Sequence, residues 1–280
     1  MMIIDAHTHI FPAFFRERRE SFFDKEPAFK MLYGSSKSKM EGSANIRNTM
    51  EAEGVDKSIV FGFPWKTSDY FKRHNDYIIE SVMSNPDRLI GFSCFDPVSA
   101  EGAKEAERCF KAGLKGVGEL AIYDSPLTDG IISKMGDVMA ICVENDAPLL
   151  IHTNEPVGHQ YPGKQEITLK QIENLLKTYP YNKIILAHWG GGIFFYFLLK
   201  KETKEALKNV WFDTAASPYL YDAAIYKTAG SILGYDKILF GTDYPLLKPG
   251  RYFRELESSG IAPEDIEKIK GKNTAELLSL

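Results

Sequence analysis

A chain of 280 residues with 44% hydrophobic and 26% charged side chains has the apolar content of a globular protein with a substantial core. Its length suits one (β/α)8 TIM barrel, which needs about 250 residues, so a single domain over 1–280 is expected. A net charge of −4 gives no sign of the basic surface that a nucleic-acid partner requires and argues against one.

In chain order, short β-branched or aromatic runs recur: Met2–His9, Lys57–Phe63, Arg88–Phe95, Leu114–Leu120, Ala147–His152, Lys183–His188, Asn209–Thr214 and Lys237–Thr242. Several read as continuous apolar segments, the mark of parallel strands buried on both faces. Helical patterns lie between them. Asn45–Glu53 stops at Gly54 and Ser99–Ala112 at Gly113, while Asp69–Ser84 and Thr168–Thr178 stop shortly before prolines. Eight strand–helix alternations without a glycine-rich phosphate fingerprint after the first strand favour a closed barrel over an open sheet. Phe11–Ser43 and Asn154–Gln165 are the long connections, and both are candidate pocket walls.

The longest apolar run, Ile193–Leu199, is far short of a membrane span, and Asp5 follows the N-terminus too closely for a signal peptide. A cytoplasmic protein with no membrane partner is expected. Cys94, Cys109 and Cys142 are odd in number and lie in apolar patterns, which suits buried thiols in a reducing compartment.

Chemistry collects at the strand ends. His7 and His9, two apart on one strand, point the same way. Glu119, His152 and His188 close strands four, five and six, and Asp243 follows strand eight. A closed parallel barrel gathers all these ends into one ring. Four imidazoles and two carboxylates without sulfur suit Zn²⁺, with Mn²⁺, Fe²⁺ or Co²⁺ as alternatives. A single strand-end histidine is ordinarily structural; four of six histidines at such positions are not so explained.

Taken together, Asp5-x-His7-x-His9, Gly116-x-x-Glu119, His152, His188 and Gly241-Thr242-Asp243-Tyr244-Pro245 resemble the metal-dependent amidohydrolase superfamily. The likeness is to its amidohydrolase-related branch, which includes aminocarboxymuconate-semialdehyde decarboxylase. Gly118-Glu119 is also similar to the TatD-type deoxyribonucleases. The resemblance implies that His7, His9 and Asp243 bind a first metal. It implies that His152 joins them or, with His188, binds a second. With one ion, His188 is left as an electrophilic or proton-transferring group; with two, Glu119 is the available bridge.

Three reactions follow from that set. A metal-bound water with its pKa lowered to about 7, Asp243 as base then acid, and His188 on the substrate oxygen give hydrolysis of an amide, ester or lactone in a small molecule. This is the leading expectation. The alternative is decarboxylation of a small carboxylic acid chelated by the metal, with Arg16, Arg18 or Arg19 holding the carboxylate; a solvated helical face is the plainer reading of these arginines. The third is a binuclear phosphodiesterase.

Other residues suggest pocket or packing roles. His159 and Tyr161 sit in the glycine- and proline-rich loop after His152, and Trp65 and Lys66 follow strand two, so these four are candidate substrate contacts. Gly190-Gly191-Gly192 lacks the residues of a Walker loop and reads as close backbone packing. Phe194–Leu199 is apolar all round, so a buried helix at a homodimer contact is expected. Asp5 and Asp213 are placed near the site without an assigned reaction role.

Overall fold

The β-branched and aromatic runs form eight strands: β1 (Ile4–His9), β2 (Lys57–Phe61), β3 (Leu89–Ser93), β4 (Gly116–Leu120), β5 (Leu149–Ile151), β6 (Ile184–Leu186), β7 (Val210–Asp213) and β8 (Ile238–Leu239). The computed structural model describes residues 2–280; Met1, the first residue of the expected 1–280 span, lies outside the described residues. Every neighbouring pair is parallel, in the order β1 to β8. The ring closes where Ala6 N donates to Phe240 O at 2.7 Å and His9 N to Tyr244 O at 2.8 Å. The result is a (β/α)8 TIM barrel.

Alternation along the strands explains why they read as continuous apolar runs. Ile59, Phe61, Leu150, Ile185 and Leu239 belong to one buried cluster. Their neighbours Val60, Leu149, Ile151, Ile184, Leu186 and Ile238 pack in another, with helical residues such as Ile46, Ile78, Cys109 and Leu175. Both faces are therefore buried, one inside the barrel and one under the helices.

The helices keep the expected places. Ser43–Glu53 ends at Gly54 with φ of 71°, the left-handed cap that glycine adopts without strain. Leu169–Thr178 starts at a capping box in which Thr168 and Gln171 satisfy each other's backbone groups. Ser68–Ser84 packs on β2 and β3, and Gly102–Lys111 on β3. No helix among the described residues is long and apolar enough to cross a membrane.

The first long connection is a pocket wall as expected, and one expectation changes. The long first connection folds into the short helices Ala13–Glu17 and Pro27–Tyr33 around a 3-10 turn, Arg19–Phe22. Phe15, Phe22 and Phe29 are buried there. Phe194–Leu199 is not a buried helix. Residues His188–Leu198 form a 3-10 run broken by left-handed backbone at Trp189 through Gly192. Its three-residue repeat leaves Phe195 and Leu198 58% and 60% exposed, with Tyr196 and Leu199 also open, while Phe194 is buried.

Candidate active site

Five of the six strand-end residues are buried, and all six approach one another. His7 Nε2 lies 3.6 Å from Glu119 Oε2 and 3.7 Å from Asp243 Oδ1. His9 Nε2 lies 3.5 Å and 3.4 Å from the same two oxygens. These separations are long for hydrogen bonds. They match the edges of a tetrahedron around an ion with bonds of about 2.1 Å, which are about 3.4 Å. On the other side, Glu119 Oε1 is 3.0 Å from His152 Nδ1 and 3.5 Å from His188 Nε2. The buried Nε2 atoms of His7 and His152 have no hydrogen-bond partner. The residues present therefore fit a divalent ion.

The imidazoles are aimed by their second nitrogens. His7 Nδ1–H donates to Asp213 Oδ2 at 2.8 Å, His9 Nδ1–H to Gly62 O at 3.0 Å, and His188 Nδ1–H to Ala215 O at 2.9 Å. Each donation leaves Nε2 as the lone-pair nitrogen facing the cluster. Asp213 also accepts from the backbone N–H of His188 at 2.9 Å, so one carboxylate orients two of the histidines. Asp5 accepts from Thr242 Oγ1 at 2.6 Å and fastens β1 to the segment carrying Asp243. Burial pushes the Asp5 carboxyl up to about 7.

The electrostatics ask for positive charge. Burial works against every ionised group here. Asp213 and Glu119 nevertheless hold the His7 imidazole well above its ordinary range, overcoming its burial. His188 is likewise held at about 9, against burial, by Glu119 and Asp243. Glu119 stays well below the carboxylate range despite its burial, through His7 and His152. Asp243 is also lowered, through His9 and His7.

Glycines permit the close approach of the loops and strands. A Cβ on Gly118, at φ of 131°, would sit 2.3 Å from Leu150 O, so β4 and β5 meet only without one. A Cβ on Gly191, at φ of 61°, would be 2.3 Å from Asn154 O. His188 and Asp243 themselves have φ of 55° and 61°, a conformation concentrated at functional sites.

A cavity of about 550 Å³ opens above the cluster. Its walls include Tyr33, Phe63, Tyr123, His159, Tyr161 and Tyr219, with Lys39 at the mouth. Burial, reinforced by the site carboxylates, raises the hydroxyls of Tyr33 and Tyr123, which keeps them neutral donors. The loop bearing His159 and Tyr161 is clasped at its base by Asn154 and Gln165. Tyr161 OH and Lys164 Nζ both bind Glu155, at 3.0 and 2.9 Å.

Several sequence assignments need correction. Trp65 is fully buried, stacked on Phe15 at 4.4 Å, and donates from Nε1 to His74 at 2.9 Å. It packs the first insertion and does not line the cavity. Lys66 turns outward to Asp124. Arg16 donates to Phe11 O at 3.0 Å, Arg18 is exposed, and Arg19 binds the carbonyls of Tyr33, Ser35 and Ser38. None of these three arginines lines the cavity. Tyr33, Lys39, Phe63, Tyr123 and Tyr219 escaped the sequence reading. Phe63 and Tyr123, two and three residues past β2 and β4, carry a positional signal, and Tyr33 and Lys39 lie in the first long connection.

A parallel barrel with metal-type ligands at the C-terminal ends of its strands is the architecture of a barrel enzyme. The chain belongs to the amidohydrolase family, whose sequence model matches residues 4–280. It is similar to a gamma-resorcylate decarboxylase of Polaromonas sp., 25% identical over 263 residues, covering 77% of this chain and 78% of that protein. It is also similar to the 2-amino-3-carboxymuconate-6-semialdehyde decarboxylase of Dictyostelium discoideum, 24% identical over 262 residues, with 79% and 70% covered. Among solved structures, 5-carboxyvanillate decarboxylase of Novosphingobium aromaticivorans superposes with a TM-score of 0.79 at 17% identity, over 100% of this chain and 96% of that one. That structure is complexed with manganese and 4-hydroxy-3-methoxy-5-nitrobenzoic acid.

These relatives overturn the leading expectation of hydrolysis, because both curated relatives are decarboxylases. The physical reason is that a metal-ligand set specifies charge and position. Which bond breaks depends on the molecule held above it.

Proposed function

We propose that the protein is a divalent-metal-dependent decarboxylase of small, unsaturated or aromatic acids with an oxygen substituent next to the carboxylate. The observation that carries this reading is that both curated relatives, aligned over more than three-quarters of this chain, are decarboxylases. The aromatic cavity above an electron-rich cluster supports it, because flat rings pack well against such walls.

His7, His9 and Asp243 would hold one ion, and His152 and His188 a second, with Glu119 available to both. The manganese of the related decarboxylase supports Mn²⁺ as the ion; the zinc of the sequence reading has no such support. A bound divalent ion would supply positive charge towards the substrate's carboxylate and adjacent oxygen. Asp243, whose side chain is 20% exposed and held ionised, takes the proton of the substrate hydroxyl. It then delivers that proton to the carbon bearing the carboxylate. The C–C bond breaks, its electron pair returns to the ring, and CO2 leaves. Tyr33 and Tyr123, as neutral donors, hydrogen-bond the substrate's oxygens, and the buried walls keep bulk water from the protonated carbon.

Gamma-resorcylate tests the reaction: Mn²⁺-supplied protein should release CO2 from it, with no ¹⁸O from labelled water entering the organic product. Incorporation of ¹⁸O without CO2 would overturn the reading. Elemental analysis should find two Mn²⁺ per chain, falling to one in Glu119→Gln; one equivalent in the unaltered protein removes the shared carboxylate. A second copy of the chain covering Phe195, Tyr196, Leu198 and Leu199 accounts for that exposed apolar strip, and light scattering reads the oligomeric state. The three buried free thiols suit a reducing compartment such as the cytoplasm.

A further inference from the structure

We infer that Lys39 selects substrates bearing a second anionic group, a carboxylate on the side of the molecule remote from the metal-type cluster. The inference rests on the decarboxylase reading above and adds to it the class of acid that is preferred.

The charge layout of the cavity points there. Glu119 and Asp243 contribute negative charge at the floor, and the walls are aromatic, imidazole or aliphatic. Among the described residues, Lys39 is the one lysine or arginine that lines this space. Other cations of the neighbourhood are already engaged: Lys66 by Asp124, Lys164 by Glu155, and Arg19 by three carbonyls. Lys39 joins no ion pair among the described residues, and it is exposed, as are Tyr219 and Leu246 of the same lining. A substrate whose reacting carboxylate sits on the cluster would carry its far substituent towards this ammonium.

The loop bearing Lys39 is built to stay in place. Arg19 Nη1 holds Tyr33 O, Ser35 O and Ser38 O at 3.4, 3.2 and 3.1 Å, and Ser38 Oγ donates to Leu32 O at 2.8 Å. Arg19 is therefore a positioning residue. It touches no substrate, but it fixes the turn between Tyr33, a wall of the cavity, and Lys39, its mouth. An uncharged, aromatic-walled cleft discriminates poorly between a ring with and without a distant carboxylate. An ammonium carried on that held turn supplies the discrimination through steering and through the bound-state contact.

The test uses a matched pair of probes: 4-hydroxy-3-methoxy-5-nitrobenzoic acid and 2-methoxy-6-nitrophenol, which is the same molecule without its carboxylate. In both, the nitrophenol end stands in for the hydroxy-carboxylate that meets the metal. Calorimetric titration of the Mn²⁺-supplied protein should show a preference for the acid of roughly fivefold, the size of a solvent-accessible ion pair. Lys39→Met should abolish that preference and leave the affinity for the phenol unchanged; Lys39→Arg should retain it. In 0.5 M salt the preference should shrink in the unaltered protein and not in Lys39→Met. Equal binding of the two probes by the unaltered protein, or an undiminished preference in Lys39→Met, overturns the assignment of Lys39. Failure of both probes to bind overturns the metal-site reading itself, and the Lys39 proposal with it.

Discussion

Asp213 shows how a side chain outside the reaction governs the site. It is fully buried, and its two oxygens receive His7 Nδ1–H and the backbone N–H groups of His188 and Ala215. Asp213→Asn can present an amide N–H towards His7, inverting the hydrogen bond and favouring the tautomer whose lone pair faces away from the cluster. Mn²⁺ affinity should fall about 10- to 100-fold, read by titration against a competing chelator, while circular dichroism stays unchanged. His74 offers a second test at this scale. The Trp65 indole can only donate, so His74 Nδ1 accepts from it and Nε2–H donates to Ile10 O at 2.7 Å. Burial pushes His74 down to about 3. Above pH 6.5 the ring is neutral in the folded and unfolded chain alike, and its contribution is complete. Between 6.5 and 3 only the unfolded chain takes up the proton, so stability falls by about 1.4 kcal/mol per pH unit. His74→Gln keeps an acceptor and a donor but does not titrate. The stability advantage of the unaltered protein over this variant, from urea unfolding, should shrink by about 2 kcal/mol between pH 6.5 and pH 5; a constant difference would refute the role.

Among the elements, the approach of β4 to β5 places a tight steric constraint on the site. Glu119 reaches His152 because Gly118 has no Cβ to meet Leu150 O. Gly118→Ala combines an unfavourable positive φ with a backbone clash, so β4 and β5 must separate where the two ligands face each other. The expected cost is about 2–4 kcal/mol, with Mn²⁺ stoichiometry lost before the fold melts. Melting of the variant within 2 °C of the parent and full metal content would contradict this. The same strands explain what the sequence makes legible. The metal-type ligands stand at the ends of β-rich runs, His7 and His9 together on the first and Asp243 just past the last, and Gly54 and the Thr168–Gln171 box mark helix ends through local backbone chemistry. Trp65 is legible only as a residue after β2. Its burial depends on Phe15 arriving from a distant insertion, which no local period encodes. Arg19 and Lys39 exchange their expected importance for the same reason, since a loop's course is set by tertiary contacts. The run after Ile193 has helix-compatible composition, yet the left-handed glycines before it impose a 3-10 path.

Over the whole molecule, an ion held by the cluster would clamp the barrel, because the six side chains come from β1, β4, the ends of β5 and β6, and the segment after β8. An ion gathered there couples strands that are not neighbours in the sheet, and it binds the folded chain in preference to the unfolded one. Mn²⁺ at about 100 times its dissociation constant should add about 2.7 kcal/mol, which corresponds to a rise in Tm of roughly 5–10 °C for a chain of this size. A chelator should reverse the rise. The pH dependence has a defined sign. His188, held at about 9 in the metal-free protein, must give up its proton before Nε2 can bind an ion. Metal affinity, and with it the Tm increment, should therefore increase from pH 6 towards pH 9, by up to about tenfold in affinity per pH unit for each proton displaced. Differential scanning fluorimetry across that range, with and without Mn²⁺, checks both statements. A Tm increment that stays flat or declines as pH rises towards 9 would mean that metal uptake displaces no proton from His188, and the second ion would then have to be held without that imidazole.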